Sequence, residues 1–376
     1  MQVVTPEFAK KFTCTAGSCT DTCCQGWQII IDPDTLARYQ SIEGELGEAV
    51  RAAIVPEAEP YFRFSENGKC ALLDENGLCK LQKEIGEDAQ CRVCRTYPRF
   101  VRQYGALREE GVSLSCPEAM RLLLEDSTPV KYVSEESDDP ILPHDLDPEQ
   151  FSALKQSRRL AFSLVQDRRY GIAARLYLLL CFAEDVQYCL SGEDYKALDR
   201  VCMRFSSAFG RAAVLRRKAR FSDAARYRTL REWTVFFDGL EILSPAWHAL
   251  LTDLSAFCRD AELHRYYRDA RKVFAAQFCG KEYEYEHILT ATLFKYWLEA
   301  SDDGILLPKV LQAVVGVLLL RECNLMHFLK SGSYDTQETA HRMAREWEHN
   351  EENLDAMRKA FLNSDCFKLR SIQSVI

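Results

Sequence analysis

The chain has 376 residues, which is enough for two domains with a sizeable core. Its hydrophobic and charged fractions, 47% and 28%, are those of an ordinary soluble globular protein. The net charge of −8 argues against a general nucleic-acid-binding protein, which would normally be basic. The longest apolar stretch, residues 305–320, is interrupted by Pro308, Lys309 and Gln312, so we expect a buried helix there and no membrane span.

Cysteines are concentrated near the start of the chain, where nine of the 16 lie within the first 116 residues. These nine are Cys14, Cys19, Cys23, Cys24, Cys70, Cys79, Cys91, Cys94 and Cys116. Thiols in such tight groups usually form disulfides or bind a soft metal. Because residues 1–11 lack the apolar core of a secretory signal, we expect a cytoplasmic protein whose thiols stay reduced, and a metal is favoured over disulfides.

The cysteine pattern leaves the kind of metal centre open. Structural zinc needs four nitrogen or sulfur ligands, whereas an iron–sulfur cluster takes four thiolates from more varied spacings. Nine thiols exceed the need of one zinc ion and suit one or two clusters, although some of them are also explained as small buried hydrophobic residues. Cys23 and Cys24 are adjacent, so their side chains diverge, and we expect that only one of them binds at a given ion.

Short strands, turns and a few helices are predicted around the cysteines. The segment 70–79 predicts a hairpin around Asn76-Gly77, and 100–107 predicts a strand. One helix is predicted from Asp34 to about residue 50, and another opens at Cys116-Pro117. Residues 126–149 carry four prolines and a surplus of acidic residues, which predicts a linker.

Helical patterns dominate from residue 150 onward. Beyond a core helix around 173–182, helices are predicted at 193–219, 222–238, 245–259, 261–279, 283–300, 305–329 and 335–362. The sequence therefore predicts a mainly α protein: a cysteine-rich domain with short strands and a hairpin over 1–125, an acidic linker over 126–149, and a larger all-helical domain over 150–376.

Basic residues dominate the segment from Arg200 to Arg231, where eight further arginines and lysines lie between these two. This run is typical of a solvated helical face, but it would also suit a dock for an acidic protein or a phosphate-bearing ligand. Neither a G-x-G-x-x-G dinucleotide motif nor a G-x-x-x-x-G-K-[ST] phosphate loop occurs in the chain. The catalytic motifs H-E-x-x-H and G-x-S-x-G are also absent, so the motifs alone identify no reaction.

Three segments resemble the flagellin lysine-N-methylase family: CTAGSCTDTCCQGWQIIID at 14–32, GLCKLQKEIG at 77–86 and CRVCRTYPR at 91–99. The first of them also looks like a variant of the CxxCxxCC zinc- or iron-chelating domain. The resemblance covers about the first 120 residues, and YEYEHIL at 283–289 and REWEHNEEN at 345–353 are similar in outline to family segments.

The resemblance implies methyl transfer from S-adenosylmethionine to lysine amines of flagellin, with a 4Fe–4S cluster involved. The missing glycine loop argues against a Rossmann-type cofactor site, so the amino and carboxylate groups of S-adenosylmethionine could instead chelate an open cluster iron. The substrate lysine must lose its proton before it attacks a methyl group, and candidate bases are Glu286, His287, Glu348 and His349. The simpler explanation of each is a polar residue on a helix surface.

An alternative needs no catalysis: the cysteines bind structural zinc or iron, and the helical domain binds a partner. A cluster that serves redox sensing or cluster transfer is a third hypothesis.

Overall fold

The computed structural model describes residues 1–260 and 262–376, with Leu263 described by its backbone alone. The strands are β1 (Gln2–Pro6), β2 (Ile54–Val55), β3 (Tyr61–Phe62), β4 (Arg99–Tyr104), β5 (Leu107–Val112) and β6 (Tyr132–Glu136). The first helices are α1 (Glu7–Lys10), α2 (Pro33–Gln40), α3 (Gly44–Ala52), α4 (Lys80–Glu84), α5 (Arg92–Thr96) and α6 (Pro117–Leu124).

Helices account for most of the structure after residue 147. They are α7 (Pro148–Val165), α8 (Ile172–Ser191), α9 (Tyr195–Ser206), α10 (Ala208–Arg216), α11 (Asp223–Asp238), α12 (Pro245–Arg259), α13 (Leu263–Gln277), α14 (Glu282–Tyr296), α15 (Ala300–Asp303), α16 (Leu307–Ser331), α17 (Thr336–Glu348), α18 (Glu351–Asn363) and α19 (Leu369–Val375). The predicted fold class, a cysteine-rich region with short strands followed by a larger helical region, is confirmed. The helix predicted at 261–279 starts at residue 261, which lies outside the described residues.

Four strands form one sheet in the order β4-β5-β1-β6. The β4–β5 pair is an antiparallel hairpin with Gly105 at its turn, so the single strand predicted at 100–107 is in fact the first arm and the turn. Strand β6 pairs antiparallel with β1 along its whole length. Residues 132–136 of the linker predicted over 126–149 are therefore a strand at the edge of the sheet. Exposed charged residues such as Glu135 are common on edge strands.

Some predicted long helices are broken where a residue favours a turn. The sequence predicts Asp34 as the cap of one helix reaching about residue 50, but the cap is Asp32, two residues earlier, and the segment divides into α2 and α3. A Cβ at Gly47 would lie 1.9 Å from the carbonyl oxygen of Ile42, so this tight turn requires glycine. Ser207 and Asn350 each cap a new helix inside the segments predicted as 193–219 and 335–362.

The sheet and the helices share one hydrophobic core. Tyr104 and Leu107 of the hairpin and Met120 of α6 pack with the helical residues. The pair Glu109 and Arg158 joins β5 to α7 in the interior, where Arg158 Nη1 donates to Glu109 Oε2 at 2.8 Å. The residues between α1 and β4 form a separate, smaller core around aromatic and aliphatic side chains such as Tyr39.

Helix α16 is long and apolar enough to cross a membrane by length and composition, but 89% of its most apolar window is buried inside the fold. It packs against α8, α12, α14 and α17. This placement agrees with the buried helix predicted for the apolar stretch at 305–320.

Candidate functional site

Seven of the nine cysteines predicted as metal ligands line one cavity of about 110 Å³. They are Cys14, Cys19, Cys23, Cys24, Cys79, Cys94 and Cys116. The other two, Cys70 and Cys91, are buried in the small core beside the cavity. All sixteen cysteines of the chain are free thiols.

The loops that carry these thiols are shaped by local turn chemistry. Asp74 Oδ1 accepts the backbone N–H groups of Asn76 and Leu78 at 2.9 and 3.0 Å, and Gly77 adopts a positive φ of 74°. The predicted turn at Asn76-Gly77 is therefore confirmed. A Cβ at Gly17 would come 3.1 Å from the Leu78 side chain, so the first cysteine loop lies directly against this turn.

Cys91, Cys94 and Cys116 are positioned by two short helices, α5 and α6. Cys91 precedes α5 and Cys94 lies three residues later, which brings both thiols to one side of this short helix. Cys116 occupies the cap position of α6, before Pro117, as the sequence predicted for the start of that helix.

The nine thiols fall into two neighbouring groups. The first group consists of thiols that lie near one another: Cys14, Cys19, Cys23 and Cys116. Cys23 also lies near Cys24 and Cys94, so the two groups meet at this residue. The second group belongs to the small core and consists of Cys24, Cys70, Cys79, Cys91 and Cys94. The divergence expected of the adjacent Cys23 and Cys24 side chains is not found, because their two thiols are hydrogen-bonded to each other.

Burial controls the protonation of the thiols. It raises the pKa of Cys70 to about 12 and that of Cys116 to about 11. Within the pair Cys23 and Cys24, the hydrogen bond between the thiols raises the pKa of Cys23 and lowers that of Cys24. Because metals bind thiolates, loading a metal onto the deep thiols must release protons.

The donor set of the cavity fits a thiolate-bound centre, because seven thiols and no histidine line it. No group of three or more His, Cys, Asp or Glu side chains among the described residues is spaced to hold one metal ion. The thiols surround a space without converging on one point. An ion or cluster could therefore be bound only after some thiol side chains change rotamer.

Asp21 fixes the first cysteine loop to helix α17. Its carboxylate lies 2.8 Å from Arg345 Nη1 and 3.2 Å from His341 Nε2. Arg345 also donates to the backbone carbonyls of Thr22 and Gln25. Burial alone would raise the pKa of Asp21, but the hydrogen bond from His341 and the charge of Arg345 hold it well below its usual range. No motif of the sequence singles out any of these three residues as functional.

Glu348 and His349, two of the predicted candidate bases, lie just behind the cavity. The His349 ring packs 4.9 Å from Trp27 and 5.4 Å from Tyr97, a residue of the cavity wall, and its Nε2 lies 2.9 Å from Ser115 Oγ. Glu348 forms a buried ion pair with Lys295 at 2.8 Å. Neither candidate lines the cavity; His349 contacts its wall through Tyr97, and Glu348 is held by Lys295.

Glu286 and His287, the other two candidate bases, also lie outside the cavity wall. Glu286 is fully buried, and Arg168 donates two hydrogen bonds to it at 2.8 and 2.9 Å. Arg175 also donates to Glu286. His287 Nδ1 lies 3.0 Å from the carbonyl oxygen of Leu123. These contacts explain why Glu286 and His287 are polar: both hold α14 against neighbouring segments of the chain.

His349 is expected to make the protein less stable as the pH falls. Burial and the charge of Arg345 lower its pKa to about 4, so the folded state keeps the ring neutral while the unfolded state takes up a proton near pH 6.5. Stability should fall by up to about 3 kcal/mol between pH 6.5 and 4. Urea unfolding over this pH range measures the effect.

The variant His349→Phe should show a smaller pH slope over that window, whatever its absolute stability. His248→Gln, at a half-buried position where His248 lies 2.6 Å from Asp238, is the comparison variant, and it should change the slope less than His349→Phe does. Equal slopes for His349→Phe and the original protein would contradict the prediction.

The family described as the FliB lysine N-methylase C-terminal domain matches residues 158–375. The flagellar biosynthetic protein FliU of Salmonella muenchen is 30% identical over 131 residues, which cover 33% of this chain and 78% of that protein. Lysine-N-methylases of Salmonella typhimurium and Salmonella choleraesuis are each 30% identical over 131 residues, and the match spans only 33% of their length. No solved structure matches the chain. Since the family match extends over more than half of the 376 residues, the chain belongs to the FliB lysine N-methylase C-terminal domain family.

Proposed function

We propose that this protein is a cytoplasmic lysine N-methyltransferase that modifies flagellin, uses S-adenosylmethionine and holds an iron–sulfur cluster through the cysteines of the N-terminal cavity. The family membership and the names of the relatives support lysine methylation and a flagellar substrate. The observation that carries the cluster proposal is the collection of seven thiols around one cavity, which helix α17 of the family-matched region contacts through Asp21.

The cavity offers features that suit a lysine side chain. The charged side chains of its wall are three carboxylates, Asp21, Glu87 and Glu118, and two arginines, Arg95 and Arg99. The excess of carboxylates would attract an ammonium group. Apolar residues of the same wall, such as Phe12 and Leu78, would desolvate the amine and lower its pKa, which favours the neutral, nucleophilic form. S-adenosylmethionine would supply the methyl group. Asp21 stays ionised because of its lowered pKa, so it would orient the amine and would be a poor base.

A structural metal is the second candidate, and the second group of thiols favours it. Cys70 and Cys91 are buried in the small core, and the neighbouring members of that group, such as Cys24, pack against the same core. A zinc ion there would stabilise a segment whose own core is small. If the second group bound zinc, the structural metal would not need the thiols of the first group, which line the cavity.

Anaerobic purification followed by iron, sulfide and zinc analysis tests the proposal, with S-adenosylmethionine titrated into the same sample. We expect iron with matching sulfide, a visible absorption band that changes on addition of S-adenosylmethionine, and methylated lysines when flagellin is incubated with the protein and analysed by mass spectrometry. Zinc alone, with no spectral response and unmodified flagellin, would reject the enzyme and favour the structural metal.

A further inference from the structure

A second cavity, of about 670 Å³, lies in the helical region and includes none of the nine N-terminal cysteines. Its wall is built from the start of α8, helices α13, α14 and α16, and the chain segments at 218, 334 and 376. The volume lies within the range of small-molecule sites. Nothing in the proposed methylation chemistry uses this cavity.

Six basic side chains line the cavity: Lys218, Arg268, Arg271, Lys272, Lys281 and Arg321. Three of them are paired with acidic residues outside the wall, namely Arg268 with Asp223, Lys272 with Asp269 and Lys281 with Glu284. In the described part of the chain, Lys218 and Arg271 form no ion pair, and Arg321 shares the carboxylate of Glu322 with Arg226.

Positive charge is therefore in surplus at a partly buried place in a protein of net charge −8. Arg226, Arg271 and Arg321 lie near one buried carboxylate, Glu322, and Lys218 lies near Arg226 and Arg321. Among the described residues of the wall, six basic side chains face two acidic ones, Glu282 and Glu322, so cations are in excess. Burial, with the nearby charges of Arg226 and Arg271, lowers the pKa of Arg321 to about 10. Crowded, desolvated cations are unfavourable unless an anion joins them.

The rest of the wall is apolar and aromatic. Phe274, Phe278 and Tyr334 form a group whose ring centroids lie 4.4 to 5.1 Å apart, next to the cationic residues. Stacking of an aromatic ring on such a surface contributes to binding. A bare inorganic ion would leave this apolar wall uncovered.

We propose that this cavity binds a small organic phosphate with an aromatic body, of the nucleoside phosphate class. Arginine and lysine together suit phosphate, because the guanidinium fork makes two parallel hydrogen bonds and the ammonium adds a point charge. S-adenosylmethionine is a poor occupant, since its sulfonium and ammonium groups would face the surplus cations. Lys218 and Arg226 come from the basic segment at 200–231, for which the sequence left a phosphate-bearing ligand open.

Isothermal titration of the full chain with ADP tests the proposal, with adenosine, inorganic phosphate and a short polyglutamate peptide as comparison ligands. We expect ADP to bind at least about tenfold more tightly than adenosine or phosphate, since only ADP offers both the charge and the ring. The double variant Lys218→Gln/Arg271→Gln should weaken ADP binding by at least about tenfold. Arg200→Gln, an exposed arginine outside the cavity, should leave it unchanged.

Circular dichroism of the double variant separates loss of the site from loss of the fold. Absence of ADP binding to the original protein, or binding that the folded double variant retains in full, would overturn the proposal. Tighter binding of polyglutamate than of ADP would also overturn it and would identify the basic wall as a dock for an acidic protein segment.

Discussion

The double variant Cys23→Ser/Cys116→Ser is expected to fail to load the proposed iron–sulfur cluster and to lose at least about a hundredfold of the proposed lysine methylation activity, because loss of a metal ligand costs more than loss of a supporting contact. Two thiols of the first group must be removed together, since neighbouring thiols could replace a single one. Serine suits position 116, where Cys116 caps α6, so the helix should persist. The loss of metal is measured as iron and sulfide per chain after anaerobic reconstitution. The loss of activity is measured by mass spectrometry of flagellin.

Cys202→Ser is the matched control. Cys202 is 5% exposed against 8% for Cys116, and burial raises the pKa of both thiols to about 11, but Cys202 lies on α9 in the main core. Its replacement should reduce stability slightly while iron content and methylation persist. Full iron and sulfide in the double variant would refute the assignment of the cluster to the first group.

Local features of the cysteine region could be predicted from the sequence because their causes are local. The Asn76-Gly77 turn depends on residues 74–78, and the start of α6 depends on Cys116-Pro117. Grouped spacing also indicated which thiols would gather, and seven of the nine share one cavity wall. The division into two groups could not be predicted, because it depends on how Cys70 and Cys116, far apart in the chain, pack against the first loop.

The contacts that join the two parts of the protein were beyond the sequence analysis. Asp21 and Arg345 are 324 residues apart, and neither belongs to a pattern with a recognisable period. The acidic residues of β6 and the prolines on both sides of it predict a linker, and only the pairing of β6 with β1 reveals a strand. Helix interruptions at Ser207 and Asn350 were missed because the apolar pattern continues across both caps.

These long-range contacts make the cavity depend on the helical region. The first cysteine loop has little core of its own, since Cys14 is exposed and the loop is mostly polar. It is held on one side by the turn at Asn76-Gly77 and on the other by α17. The thiols of the first group thus keep their mutual arrangement only while α17 holds the loop, and we expect metal loading to report on that contact.

Arg345→Met is therefore expected to lower the free energy of unfolding by about 3–5 kcal/mol, because it leaves the largely buried carboxylate of Asp21 without its cationic partner. It also removes the donors to the carbonyls of Thr22 and Gln25, so the first cysteine loop should detach before the helices unfold. Urea unfolding measures the first effect. The rate at which a thiol reagent modifies Cys23 in the native protein measures the second, and it should rise.

Arg342→Met, three residues earlier on α17, is the matched control, because Arg342 pairs with the more exposed Glu338 and should cost less than about 1 kcal/mol. Adding Asp21→Asn to Arg345→Met should recover part of the loss, since the buried negative charge is then gone. If Arg345→Met were no more costly than Arg342→Met, the loop would be held by other contacts. A loss of iron in Arg345→Met, with Arg342→Met fully loaded, would instead tie the arrangement of the thiols directly to α17.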